Sequence, residues 1–384
     1  MFIYMNKEEE KRFALIKRNT EEILQEEELK QLLENKEKLK HYIGFEISNK
    51  PHIGHGLVCM AKVKDFMDAS VDCSVFLADW HSWINDKLGG DMKVIREVGV
   101  PYFKECIKAA FKCVGGDVEK LKFVLGSEVY HNNDLYWTTV IDISKHTTLA
   151  RMKRSTTIAG RQEGENLDFA KLIYPPMQVA DIFIQEINLP HAGLDQRKAQ
   201  VIARDVALSL EFKPLKNKKG EKIKPCAVHG HLLLGLQKPT MWPVPKENMQ
   251  EFRAQMKMSK SVPNSAVYMD DSVEEIRNKV NKAFCLEGEV DYNPILDWCK
   301  YIIFGIGKNP VLSITRQEKF GGNVSYSSYM QLEKDFADKK LHPMDLKNAV
   351  AERLVEIMQP AIKYLSQPSV KKLKEQMDKI IITR

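Results

Sequence analysis

A chain of 384 residues, 43% of them hydrophobic, can bury a sizeable core and fits two domains better than one. A net charge of +6 permits a polyanionic partner without requiring one. No apolar run approaches the roughly 18 residues of a membrane span. The N-terminus is rich in glutamate where a presequence would be cationic, and the seven cysteines contain no CxxC pair. A membrane span, a cleaved leader, a disulfide framework and a zinc ribbon are therefore argued against, and a cytoplasmic protein with reduced, mostly buried thiols is expected.

Residues 6–40 mix Glu and Lys with Leu24, Leu29, Leu32 and Leu33 at helical spacing, which predicts one or two amphipathic helices forming an N-terminal arm over 1–40. The pattern then changes. "HYIGFEI" (41–47), "CSVFLADWHSWI" (73–84) and "LKFVLGSEVY" (121–130) are apolar runs separated by helical patterns at 55–69 and 91–114. Strands alternating with helices predict βαβ units, an α/β fold with a Rossmann-like doubly wound parallel sheet covered on both faces. Ligands of such sheets sit beyond the carboxyl ends of the strands. A helical pattern over 132–160 contains "ARMKRS", and "AKLIYPPMQVADIFIQEI" (170–187) and "LPHAGLDQRK" (189–198) follow. Residues 211–224 hold six lysines against two glutamates, and Pro239, Pro243 and Pro245 mark an irregular exposed segment up to about 255. From about 265 the sequence reads as helical again, beginning with "DSVEEIRNKVNKAF" and its N-capping acid or serine. The expected organisation is an arm (1–40), a catalytic domain (41–264) and a smaller α-helical domain (265–384).

The first strand leads into "NKPHIGHGL". A glycine at a strand-to-helix turn lets a flat ligand lie against backbone, and the helix N-terminus beyond it attracts phosphate. His52 and His55, flanking Gly54, can donate hydrogen bonds to phosphate oxygens as charge builds on them. Some two hundred residues later, "KMSKS" (257–261) puts Lys257 and Lys260 on a short serine-containing loop, where they can follow the β- and γ-phosphates as these become pyrophosphate. Either motif alone also fits a solvated loop. The ordered pair HIGH and KMSKS is far more specific, and it resembles the class I aminoacyl-tRNA synthetases.

The resemblance runs through nearly the whole chain after residue 40. "YIGFE", "HIGH", "LADWHSWIN", "LIYPPMQVADI", "GLDQRK", "KMSKS", "EKFGG" and "HPMDLKNAVAE" occur in the order found in the tyrosyl-tRNA synthetases of archaea and the eukaryotic cytoplasm. That resemblance implies a tyrosine–tRNA ligase, dimeric as a homodimer, using Mg-ATP, tyrosine and tRNA(Tyr), with no prosthetic group and no protein-bound metal. It implies that Tyr42 and Asp181 hold the substrate phenol, and that Tyr174, Gln178 and Gln196 meet its ammonium. It further implies ATP contacts from Gly44, Glu46, His52, Gly54, His55, Asp195, Lys257, Met258, Ser259, Lys260 and Ser261. For RNA it implies Arg154 and Arg197 at the first acceptor pair, and Phe320, His342, Pro343 and Asp345 at the anticodon, where stacking and a carboxylate suit an unpaired base. Independently of the resemblance, 174, 178 and 181 fall on one helical face and can point into one pocket. An acceptor built for a hydroxyl rejects the analogue lacking it, so no editing domain is expected.

Asn49 and Pro51 depart from the usual residues before HIGH, and the stretch 213–255 is longer than the family's usual link into KMSKS; it reads as an RNA contact or a solvated insertion. His229 and His231 flank Gly230, but two ligands without a neighbouring carboxylate or Cys in sequence make a weak metal site. His81 is expected near the nucleotide or in the core. The rival readings are a tryptophanyl-tRNA synthetase, a small-molecule nucleotidylyltransferase, and a non-catalytic RNA-binding synthetase paralogue. Tyr42 with Asp181, the anticodon signature, and the intact paired motifs argue against them in turn.

Overall fold

The computed structural model describes residues 5–160, 168–239, 241–242, 244, 256–258, 265–307 and 310–380. Its centre is a six-stranded sheet built from β1 (Glu22–Ile23), β2 (Lys40–Phe45), β3 (Asp72–Leu77), β4 (Lys122–Leu125), β5 (Leu189–Gly193) and β6 (Val228–Gly230), in the order β1-β6-β5-β2-β3-β4. β2 to β6 run parallel, and β1 is an antiparallel edge strand. The register sets Ile43 beside Val75 on one side and His191 on the other.

The pleat divides the sheet into two faces. Ile43, Phe45, Val75 and Leu77 pack beneath the helices Cys59–Asp68 and Val100–Cys113 with Leu57, Met60, Phe66, Phe103 and Ile107. Tyr42 and Phe76 point the other way, into a second core with Tyr136, Ile143, Phe183 and Ile202 of the helices Asp134–Lys145, Phe169–Ile184 and Arg197–Val206. The fold is thus the doubly wound α/β architecture expected. The chain leaves β2 toward β3 and β4 on one side, then returns to build β5 and β6 on the other. The carboxyl ends of β2 and β5 therefore flank the switch point, where such sheets open a ligand crevice.

The arm is two helices, Lys7–Lys17 and Glu26–Glu34, the first closed by a reciprocal capping box between Asn6 and Glu9. Between them lies β1, which the helical reading of this stretch does not anticipate. The C-terminal part is largely helical. Its long helix Pro343–Leu365 packs on Val100–Cys113 and Val273–Asn281, so one apolar core runs from the sheet into it. It also holds a two-stranded antiparallel hairpin, β7 (Leu312–Ile314) and β8 (Val324–Tyr326), in a region read from sequence as helical. The lysine-rich stretch after 211 folds back on itself through a bridge between Lys216 and Lys222, and Lys213 pairs with Glu186 at 2.8 Å. Among the described residues no helix is long and apolar enough to cross a membrane.

Candidate active site

The helix Phe169–Ile184 begins at Asp168, whose carboxylate caps Lys171 N, and presents Tyr174, Gln178 and Asp181 to the sheet. Asp181 is 1% exposed. Its Oδ1 accepts hydrogen bonds from Tyr130 Oη at 3.0 Å and Tyr136 Oη at 3.2 Å. Burial pushes its carboxyl up to about 8, against the pull of those two hydroxyls. The carboxyl keeps acceptor capacity beyond these two bonds, and when protonated adds one donor, so the two tyrosines leave room for a further hydroxyl. Tyr42 of β2 sits in the same buried cluster, its hydroxyl held protonated by burial and by the proximity of Asp181. His81 reaches this cluster and not the phosphate end: its ring lies edge-on to Tyr174 with centroids 4.5 Å apart, and its Nε2 is 3.9 Å from Asp181 Oδ2. Burial draws His81 down to about 4, so it is neutral. Tyr130 and Tyr136 escaped the sequence reading; the only hint was their aromatic character among "EVYHNNDLYW".

Two turns back along this helix, Tyr174 Oη donates to Glu46 Oε1 at 2.8 Å, and Asn85 Nδ2 donates to the same oxygen at 3.0 Å. Glu46, expected beside the nucleotide, is thus tied to a residue expected to bind the amino acid. Gln178 Nε2 donates to Gln196 Oε1 at 3.1 Å, and Gln196 Nε2 to Ile158 O at 3.0 Å. Gln178 Oε1 is buried with no partner among the described residues. It is an acceptor suited to an ammonium group. The structure therefore brings Tyr42, Tyr174, Gln178, Asp181 and Gln196 to one side of the switch point.

On the phosphate side, Gly44 is the exposed residue of β2, one before the strand's carboxyl end, and the helical run 54–68 follows. His52 and His55 lie against each other with ring centroids 3.8 Å apart and planes tilted by 32°. A Cβ on Gly54 would stand 2.9 Å from the His52 ring, so glycine is what lets the two imidazoles close on the turn. At the end of β5, Gly193 is equally constrained, because a Cβ there would meet Asp195 Oδ1 at 2.7 Å and Leu232 at 2.8 Å. Asp195 in turn holds Lys257 Nζ at 2.5 Å, which draws the KMSKS lysine to the switch point. Met258 is buried behind it. Ser259, Lys260 and Ser261 lie outside the described residues.

The residues expected to read RNA are distributed over two places. Arg154 is exposed at the end of the helix Leu149–Ser155, while Arg197 is engaged by Glu22 of β1 in two bonds of 2.8 and 2.9 Å. Phe320, 61% exposed, sits in the turn joining β7 to β8, just before Gly321 with φ 94. His342 caps the helix Pro343–Leu365, its Nδ1 accepting from Met344 N at 3.2 Å, and Asp345 lies in the first turn. Arg316 joins the two, donating 2.9 Å bonds to Gly322 O and to Lys340 O. This arginine, too, was missed from sequence.

His229 and His231 have carboxylate neighbours after all, correcting the sequence argument on that point. His229 Nδ1 lies 2.9 Å from Glu22, and His231 lies 3.0 Å from Glu21 and 2.6 Å from Asp297. The carboxylates around His231 favour its charged form, whereas burial lowers His229 and makes its contact with Glu22 a hydrogen bond; among the described residues no group of three or more His, Cys, Asp or Glu is arranged to hold a metal.

A family model described as tRNA synthetases class I (W and Y) matches residues 34–359. The tyrosine–tRNA ligase of Thermococcus sibiricus is 57% identical over 361 residues, 93% of this chain and 95% of its own. The chain belongs to the tyrosine–tRNA ligase family. The ligase of the same name from Pyrococcus abyssi is 55% identical over 94% of this chain and 95% of its own. Among solved structures, the tyrosyl-tRNA synthetase of Pyrococcus horikoshii, complexed with L-tyrosine, superposes with a TM-score of 0.92 at 53% identity, covering 97% of this chain and all of that one.

Proposed function

We propose that the chain is an aminoacyl-tRNA ligase that activates tyrosine with ATP and transfers the tyrosyl group to the 3′ adenosine of tRNA(Tyr). The observation that carries tyrosine as substrate is the buried Asp181, already gathering two tyrosine hydroxyls and retaining acceptor capacity beside Tyr42. A phenol entering there completes the carboxylate's hydrogen bonds, and a phenyl ring leaves them short. The substrate ammonium meets Gln178 Oε1, Gln196 and Tyr174. Its carboxylate then faces the crevice where ATP lies along Gly44, Gly54 and Asp195, with magnesium entering as part of the ATP complex.

Attack of the substrate carboxylate on the α-phosphorus forms the adenylate and expels pyrophosphate, without a covalent enzyme intermediate. His52, His55, Lys257 and Lys260 stabilise the charge that moves onto the leaving phosphates, and Met258, Ser259 and Ser261 contribute further ATP contacts. Lys257 must leave Asp195 or share it as pyrophosphate forms, so the pair in the structure is the resting arrangement. Glu46 keeps Tyr174 oriented. Residues 1–40 act as an arm, 41–264 as the catalytic domain and 265–384 as the anticodon domain. Arg154 and Arg197 contact the acceptor end. Phe320, His342, Pro343 and Asp345, joined through Arg316, contact the anticodon.

The large apolar residues Leu135, Ile141, Leu149 and Phe169 are exposed on three neighbouring helices, and they support a homodimer built through that face. The work is done in the cytoplasm, where tRNA is charged. Charging of a tRNA(Tyr) transcript with labelled tyrosine tests the whole reading, and failure to charge it would reject the reading. Sedimentation of the Ile141→Glu variant against wild type tests the dimer: a shift to monomer is expected, and an unchanged dimer would place the interface elsewhere.

A further inference from the structure

Lys257 is set at the switch point by backbone pairing with residues 233–235. Gly235 N donates to Met256 O at 2.8 Å, Met258 N donates to Leu233 O at 2.8 Å, and Leu234 faces Lys257 between these bonds. In this antiparallel pattern the N–H and C=O of Leu234 point away from Lys257, toward where a further strand would lie. Two adjacent side chains take that place. Asp297 Oδ2 accepts Leu234 N at 2.9 Å, and Trp298 Nε1 donates to Leu234 O at 3.0 Å.

Both come from the short helix Pro294–Trp298, which is anchored by the Asn293 cap and by burial of Ile295, Leu296 and Trp298. Asp297 is itself braced. Its Oδ1 is 2.6 Å from His231 Nε2, His231 Nδ1 is 3.0 Å from Glu21, and the imidazole stacks on Tyr301 at 3.6 Å with the planes 6° apart. Burial alone would lower the pKa of His231, but Asp297 and Glu21 together raise it above its ordinary value, which favours the charged ring as a donor to Asp297. A buried backbone N–H held by a carboxylate resists sliding far better than one left to water.

We infer that Asp297, with Trp298 beside it, is a positioning residue for Lys257 in adenylate formation, acting through the backbone of Leu234. The inference rests on the ligase reading above. The strut reaches the reacting end through one strand pair, so a shift of about 1 Å at Leu234 moves Lys257 by a similar amount, enough to slow chemistry by up to roughly 100-fold. It does not touch the groups that hold tyrosine.

The test compares wild type, Asp297→Ala and Asp297→Asn for single-turnover adenylate formation, tyrosine dissociation constant and thermal midpoint. Asn retains an oxygen for Leu234 N while losing the charge toward His231. We expect Asp297→Ala to slow adenylate formation by about 10- to 100-fold with tyrosine affinity within about twofold, and Asp297→Asn to recover most of the rate. An unchanged rate in Asp297→Ala would overturn the inference. So would a parallel fall of rate, tyrosine affinity and thermal midpoint, or an Asn variant as slow as Ala, since each marks a merely structural role. A wild type that forms no tyrosyl-adenylate would reject the ligase reading itself, a result distinct from failure of the Asp297 variants alone.

Discussion

Replacing Asp181 by Asn separates what the buried carboxylate does for binding from what it costs the fold. Burial raises this carboxyl from 3.8 to about 8. Between those values the native state holds a proton that the unfolded chain has released, so native stability falls as pH rises through the window. At 1.36 kcal/mol per tenfold, ionising Asp181 in the empty pocket costs up to ~6 kcal/mol by pH 8. Asn keeps the shape without the charge. Its amide must be accommodated by Tyr130 and Tyr136, which now donate to one carboxylate oxygen, at a penalty of ~1–3 kcal/mol.

The ligand-free Asn variant should therefore be more stable than wild type by roughly 3–5 kcal/mol at pH 8, with the advantage gone near pH 5. Its tyrosine affinity should fall by up to roughly 10- to 150-fold at pH 8, where the carboxyl begins to ionise and offers the substrate a charged acceptor, and by less at pH 5, where the carboxyl is neutral. Urea denaturation at pH 5, 6.5 and 8, with calorimetric titration of tyrosine, measures both. A variant less stable than wild type at pH 8, or one that binds tyrosine with undiminished affinity, would refute the reasoning.

Lys257→Ala should slow adenylate formation by about 100-fold or more while the tyrosine dissociation constant, read by equilibrium dialysis, stays nearly fixed. Phe320→Ala should raise the KM for tRNA by roughly tenfold, the worth of one base stacked on a ring, and leave ATP–pyrophosphate exchange untouched. His41, its Nε2 3.3 Å from His191 Nδ1, is drawn by burial down to about 3, and burial likewise holds His191 well below its usual value. Both are neutral when folded and gain protons on unfolding. Stability present above pH 6.5 should decline as pH falls below it, by up to about 1.4 kcal/mol per pH unit for each ring, and an urea midpoint flat from pH 7 to 5 would contradict this.

The parallel strands β2 and β3 were legible because burial makes them nearly continuous apolar runs, the half-buried edge strand β4 because Phe123, Val124 and Leu125 follow one another, and their alternation with helices gave the sheet and the place of its crevice. The shared face of Tyr174, Gln178 and Asp181 was legible for a similar reason, since helical spacing alone decides it. What escaped depends on partners far away in sequence. β5 carries Pro190, which ordinarily demotes a central strand, yet it lies between β2 and β6. β1 is only two residues long and exists because β6 pairs with it. Tyr130 and Tyr136 reach Asp181 from 51 and 45 residues away, and Glu22 reaches Arg197 across 175, so no local pattern marks them. The β7–β8 hairpin escaped for want of a strong signal: three-residue strands of mixed polarity do not stand out against helical neighbours.

The central claim is that this pocket selects tyrosine for activation through Asp181. Amino-acid-dependent ATP–pyrophosphate exchange, run with tyrosine, tryptophan and phenylalanine on wild type and on Asp181→Ala, tests it most directly. Exchange with tyrosine alone, largely lost in the variant, is the expected result. Exchange with tryptophan, or tyrosine-dependent exchange that survives in Asp181→Ala, would contradict it.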